Sequence, residues 1–150
     1  MKRTLRTLAY SGAFAVSIGF SMSASAEVVK IAFVDPLSGI LGNVGQNQLK
    51  SFQFLAEKLN QKKAAGEGVT FEIVPFDNKA SPQESLTQLK AAQDQGIRYV
   101  TQGNGSGAAG PLIHAITKSN APQPAKALPF INYSRCVSDS PPTNSPLCTF

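Results

Sequence analysis

Residues 69–101 read VTFEIVPFDNKASPQESLTQLKAAQDQGIRYVT, and the order of signals inside this stretch decides the fold. Residues 69–76 are rich in β-branched and aromatic side chains, which marks a strand, with Pro75 near its end. Asp77-Asn78-Lys79-Ala80 is turn-forming. Ser81-Pro82-Gln83-Glu84 then opens a helix. Ser81 is placed to cap the amide of Glu84, and Glu84 to reach back to the amide of Ser81. Pro82 stands at the first helical position, where its missing N–H removes no bond. Leu86, Leu89 and Ala92 or Gln93 continue the helical spacing, and Gly96 can end it in the left-handed conformation. IRYVT, residues 97–101, is a second strand. Strand, helix and strand in this order form a βαβ unit, whose two strands lie parallel.

Outward from this unit the alternation persists. Residues 28–34, VVKIAFV, are apolar except for Lys30 and suit a strand buried on both faces. They end at Asp35-Pro36, because proline has no N–H for a ladder. A glycine-bearing loop follows, PLSGILGNVG. Over residues 46–59, Leu49, Phe52, Leu55, Ala56 and Leu59 recur at helical spacing, and Lys62-Lys63 suit the negative end of that helix. Gly66 and Gly68 mark the next loop. On the other side, GNGSGAAG precedes a helical stretch over residues 111–118, then a proline-bearing linker over 121–127 and a strand over 128–132. The predicted order is β-α-β-α-β-α-β. That is an α/β fold with a doubly wound parallel sheet, and right-handed crossovers order its strands 2-1-3-4.

The two ends differ from this body. Lys2, Arg3 and Arg6 precede an uncharged, mostly apolar run over residues 8–20, and Ala24-Ser25-Ala26 supplies small residues at a cleavage site. This is the anatomy of a secretory signal peptide over residues 1–26. The run is short of the roughly 20 apolar residues of a membrane anchor. The precursor carries a net charge of +5. Without its leader the chain keeps eleven basic and nine acidic residues, a net +2. That removes the ground for a nucleic-acid reading. Residues 134–150 hold three prolines and no periodicity. The expectation is an irregular tail where the chain stops or changes frame inside its fold, against the alternative of a natural flexible terminus. Cys136 and Cys148 lie there. An exported protein permits their disulfide, worth at most about 3 kcal/mol for so short a loop. Two cysteines and the single His114 do not form an ordinary zinc site.

Parallel sheets take ligands beyond the carboxyl ends of their strands, where the strand order reverses. In a 2-1-3-4 sheet that point lies between strands one and three. The loops there are residues 35–45 and 102–110, which offer Ser38 and Gly39 on one side and Gly105 and Ser106 on the other. Glycine lets backbone amides approach a ligand, and a helix N-terminus after the second loop favours an anion such as a carboxylate. Tight turning without a ligand is the plain alternative. Residues 103–108 also fit a dinucleotide-binding glycine pattern. They follow the third strand rather than the first, however, and no acidic residue stands about 20 positions on. No cofactor is expected. Asp35 and Asp77 end strands and could approach the crevice, though Asp77-Asn78 reads first as a turn. His114 has no nucleophile or metal set around it, so no catalytic residues and no enzyme are expected.

Three segments together, KIAFVDPLSGILGNVGQ, FEIVPFDNKASPQESLTQLKAAQDQGIRYVTQGNGSG and LPFINY, resemble the type I periplasmic binding proteins, in their leucine/isoleucine/valine-binding branch. The resemblance covers residues 28–133. It implies two doubly wound lobes around a ligand cleft, with residues 27–133 as the first lobe, and delivery of the ligand to an ABC permease in the inner membrane. It implies that Ser106 holds the α-carboxylate of an amino acid, that Ser38 and Gly39 border the ligand, and that the loop after strand four, here Ser134, adds contacts. Val44 stands where many relatives carry an aromatic residue. The implied function is periplasmic solute binding for an ABC importer. The competing readings are a ligand-sensing receptor domain of the same fold and a secreted enzyme relying on Asp35 or His114.

Overall fold

The computed structural model describes residues 26–122 and 127–133. The signal peptide, the irregular tail, Ser134 and both cysteines lie outside these residues. The element order is β1 (Glu27–Asp35), α1 (Gly42–Gln61), β2 (Val69–Asp77), α2 (Pro82–Asp94), β3 (Tyr99–Gln102), α3 (Ser106–Asn120) and β4 (Phe130–Asn132). The four strands form one sheet in the order β2-β1-β3-β4, parallel throughout. This is the expected doubly wound order. The alternating faces of β1 divide the core in two. Ala32 and Val34 join Leu89, Ala92, Ile97, Val100, Leu112 and Ile116 under α2 and α3. Phe33 turns the other way, to Ala56, Leu49 and Phe52 of α1 and Ile73 of β2.

Burial along β1 is uneven. All nine residues pair with β2, but only Ile31–Phe33 pair with β3. Val28 is consequently exposed, while Ala32 through Asp35 are fully buried. The expectation of a strand buried on both faces holds for its second half alone. Leu55 also departs from the sequence reading and is exposed. It lies one residue, a rotation of about 100°, from the inward-facing Ala56.

Helix ends follow local chemistry. The Ser81 side chain accepts the Glu84 amide at 3.3 Å. The reciprocal half of the capping box does not form, because the Ser81 amide donates instead to the Asn78 carbonyl at 2.8 Å. At the other end of α2 the Ile97 amide donates to Ala92 and the Gly96 amide to Gln93, with Gly96 at φ +74°. That pair of bonds is a Schellman motif, and Ile97 and Ala92 both enter the core. Ile97 therefore closes the helix, and β3 begins two residues later than the sequence suggests. Helix α1 ends in the same motif, with Ala64 bonded to Leu59 and Lys63 to Asn60, but here Lys63 takes the left-handed conformation at φ +50°. Two asparagines near helix ends then fix the strands that follow. Asn60 bonds both the amide and the carbonyl of Phe71, and Asn120 does the same to Leu128.

Candidate functional site

The carboxyl ends of β1 and β3 meet through one buried acid. Asp35 has no solvent exposure. Its carboxylate accepts the Gly103 amide at 3.2 Å, the Asn104 amide at 2.8 Å, and the hydroxyl of Tyr133. From α1, the Gln48 side-chain oxygen accepts the Asn104 amide group and stands 2.8 Å from the Tyr133 hydroxyl. Gln102 bonds the Asn104 carbonyl at 2.6 Å. Burial pushes the Asp35 carboxyl up from 3.8, against the lowering pull of its bonds to Tyr133, Asn104, Gly103 and Gln102. Burial, with the Asp35 carboxylate beside it, pushes the Tyr133 phenol far above its ordinary range, so Tyr133 remains a donor. The Tyr133 ring lies near-parallel to Phe33 and tilted against Phe52. It also covers Gly103, where a Cβ would overlap the ring.

The acid ending β2 acts one strand over. Asp77 accepts the Leu37 amide at 2.9 Å, the Ser38 hydroxyl at 2.5 Å and the Lys79 amide at 2.9 Å. Partial desolvation raises its carboxyl, but the bonds from Ser38, Leu37 and Lys79 outweigh that, and the net shift is downward from 3.8. Each crevice loop is thus tied to the carboxylate that ends the neighbouring strand. The loop after β1 is tied by Asp77, and the loop after β3 by Asp35.

The residues singled out in the sequence fall as follows. Ser38 is exposed, with its hydroxyl turned to Asp77. Gly39 is exposed at φ +71° with open space around its α-carbon, so within the chain the turn, not a packed neighbour, asks for glycine there. Gly105 caps α3 at φ +88°. Ser106 is the first residue of that helix. The helix therefore starts five residues before Pro111, where the sequence reading began it, and the GSGAAG run is its first turns. Proline inside a helix leaves the carbonyl four residues back without its bond. That carbonyl belongs to Gly107, which is exposed and can bond water. Helix α1 likewise begins at Gly42, earlier than expected, because Gly45 is a packing residue: a Cβ there would overlap the Pro36 carbonyl.

The chemistry available at this end is anion binding. The first amides of an α-helix have no carbonyl one turn back, and the dipole adds positive potential. In α3 these are the amides around Ser106 and Gly107, while those of Gly103 and Asn104 are already given to Asp35. A second groove, about 200 Å³, lies between residues 27–30 and 96–99. It sits at the amino ends of the strands, the opposite end from the crevice, and is small for a ligand site. Among the described residues no group of three His, Cys, Asp or Glu could hold a metal, and no helix is long and apolar enough to cross a membrane. Gln48 escaped the sequence reading, as did the bonds of Asn104 and Tyr133 to Asp35. Their cluster joins four separate elements, and no local pattern marks it. The strand-ending aspartates were the only signal pointing there.

The family model for periplasmic binding proteins matches residues 28–147. Leu/Ile/Val-binding protein homolog 4 of Brucella abortus is 30% identical over 119 residues, covering 79% of this chain and 28% of that protein. The Leu/Ile/Val-binding protein of Escherichia coli is 26% identical over 85 residues, covering 57% of this chain and 23% of the relative. Among solved structures, a leucine-, isoleucine-, valine-, threonine- and alanine-binding protein from Brucella ovis in a closed conformation superposes with TM-score 0.61 at 29% identity, covering 73% of this chain and 28% of that one. A branched-chain amino acid transporter substrate-binding protein from Streptococcus pneumoniae, in complex with isoleucine, superposes with TM-score 0.60 at 25% identity, covering 75% and 30%. The chain thus spans less than a third of the length of these relatives.

Proposed function

The chain belongs to the periplasmic binding protein family, and from that premise we propose that it supplies the first lobe of a solute-binding protein for an ABC importer. In this reading residues 1–26 direct export to the periplasm and are removed, and residues 27–133 form one wall of the ligand cleft. The ligand is a branched-chain or related amino acid. Its α-carboxylate sits at the N-terminus of α3, against the amides near Gly105 and Ser106 and the Ser106 hydroxyl. The Ser38–Gly39 loop borders it, and Ser134 contributes beyond β4. The loaded form docks on an inner-membrane permease. No chemical step is involved.

The observation that carries this reading is the junction of the β3–α3 loop with the end of β1, at the reversal point of the sheet, beside a helix N-terminus. The isoleucine complex of the pneumococcal relative supports the ligand class. Small ligands are buried by 70–90% or more in such sites, which takes two walls. The described lobe alone should therefore bind weakly. The test is a titration of the ¹⁵N-labelled mature chain with L-isoleucine, with isoleucinamide as the ligand that lacks the carboxylate. Shifts at the amides of Gly105, Ser106 and Gly107 with isoleucine, saturating only in the millimolar range, are expected, and isoleucinamide should leave them in place. Equal shifts with both compounds would refute carboxylate binding at α3. A micromolar Kd would refute the need for a second wall.

A further inference from the structure

We propose that Asp35 is the positioning residue of the ligand-binding wall: its carboxylate holds the loop that sets the N-terminus of α3, and its hold on that loop weakens when it is protonated. This rests on the reading of α3 as the carboxylate-binding wall. Asp35 touches no ligand in this account and acts through Gly103 and Asn104.

The geometry separates this role from ordinary packing. Both oxygens of Asp35 are engaged, and the two backbone donors are consecutive amides immediately before Gly105. Two consecutive amides bonded to one rigidly buried group fix the course of the backbone there. Gly105, at φ +88°, then turns the chain into α3. A displacement of the Asn104 amide is therefore carried directly into the first turn of the helix. Protonation changes this contact in a definite way. A carboxylate offers only acceptor sites, whereas a carboxylic acid turns one oxygen into a donor. Protonated on the oxygen that faces Tyr133, the acid can donate only if the phenol turns its own proton to the Gln48 oxygen 2.8 Å away, and the two amide bonds then lose the help of the negative charge.

The groups facing Asp35 are few. From β3 and its loop come Gln102, Gly103 and Asn104, from the end of β4 Tyr133, and from α1 Gln48 behind Tyr133 and Asn104. On β2 the register partner is Asp77. Tyr133 stays protonated and the Asp77 carboxyl is lowered, so Asp35 is the member of this set that loses its charge first as pH falls. Burial, which raises its carboxyl, moves that change toward neutral pH.

The experiment uses the mature chain with ¹⁵N labelling. Protection factors of the Gly103 and Asn104 amides are measured between neutral pH and pH 4.5, beside the carboxyl ¹³C shift of Asp35. The expected result is a loss of protection at these two amides, about tenfold for a lost charge-assisted bond, with the same midpoint as the Asp35 carboxyl. Amides of the β1–β2 ladder should not follow. In Tyr133→Phe the midpoint should move to higher pH, since a donor that favours the carboxylate is gone. In Asp35→Asn the two amides should be poorly protected at every pH, and the Kd for L-isoleucine should weaken about tenfold and lose its pH dependence. Protection that ignores the Asp35 titration, or a midpoint that Tyr133→Phe leaves in place, overturns the proposal. So does an Asp35→Asn variant with released amides but unchanged isoleucine affinity. If Asp35→Asn does not fold, the wild-type and Tyr133→Phe titrations still decide. If wild-type protein shows no isoleucine shifts while the amides follow Asp35, the ligand reading fails and the loop latch stands.

Discussion

Gly103→Ala tests how the end of β4 is locked onto the sheet. Gly103 has no positive φ, so alanine meets no backbone penalty there. What it meets is the Tyr133 ring, which its Cβ would overlap. Two responses are open. The ring can stay and absorb strain, which for overpacking costs about 1–3 kcal/mol. It can leave instead, forfeiting its contacts with Phe33 and Phe52, about 0.5–1.5 kcal/mol each, and its bond to the Asp35 carboxylate, about 1.5–3 kcal/mol. Strain is the cheaper route, so a destabilisation of about 2 kcal/mol is expected. The chain has no tryptophan, so urea unfolding is followed by circular dichroism. The same substitution in a Tyr133→Ala background should cost less than about 0.5 kcal/mol, leaving most of the effect as coupling between the two sites. An equal penalty in both backgrounds would refute the steric account and place the effect in the loop backbone.

Other outcomes follow from the same geometry. Lys63→Gly relieves a left-handed lysine at the end of α1 and loses an exposed ion pair to Glu67 of 2.6 Å; the first effect, about 1 kcal/mol, exceeds the second, so the urea midpoint should rise, and a fall would contradict it. Gly45→Ala drives a Cβ into the Pro36 carbonyl, backbone against helix with no side chain to yield, and should lower stability by about 2–3 kcal/mol; Gly39→Ala, with open space around it, should cost only its backbone strain. The two strand-ending acids should respond to pH with opposite sign. The Asp77 carboxyl is lowered, so its contribution is present above 3.8 and lost as pH falls through its folded value. The Asp35 carboxyl is raised because the cost of burying its charge outweighs its bonds, so this net contribution is full below 3.8 and lost as pH rises through its folded value, although the charged form is the one that bonds the loop more tightly. Thermal melts across pH 3–7 of Ser38→Ala should show a smaller acid loss at the Asp77 end. Melts identical to wild type would mean that the Ser38 bond carries nothing.

The helices and strands were legible where one residue's chemistry acts locally. Ser81 capping Glu84, Gly96 ending α2, and Pro36 closing β1 each need only near neighbours, and each stands where the sequence implied. Boundaries slipped where a glycine's purpose is distant. Gly45 reads as a loop residue, and only the approach of the Pro36 carbonyl makes it a helix residue. Pro111 reads as a helix start, and only the exposure of Gly107 lets the helix run through it.

The strand order could also be expected in advance, because right-handed crossovers put helices on both faces of a parallel sheet only if the strand order reverses, as it does in 2-1-3-4. The reversal point, and hence the crevice between the loops after β1 and β3, follows from the order alone. The sequence by itself therefore determined the α/β class and pointed to the topology and to the end of the sheet where the site is proposed. Tertiary structure alone decided which groups hold the loops at that end together. Asp35 bonds amides 68 and 69 residues away and a phenol 98 residues away, and no periodicity or motif encodes pairs at such separations. They are brought together only when the sheet closes, and burial then makes their hydrogen bonds obligatory.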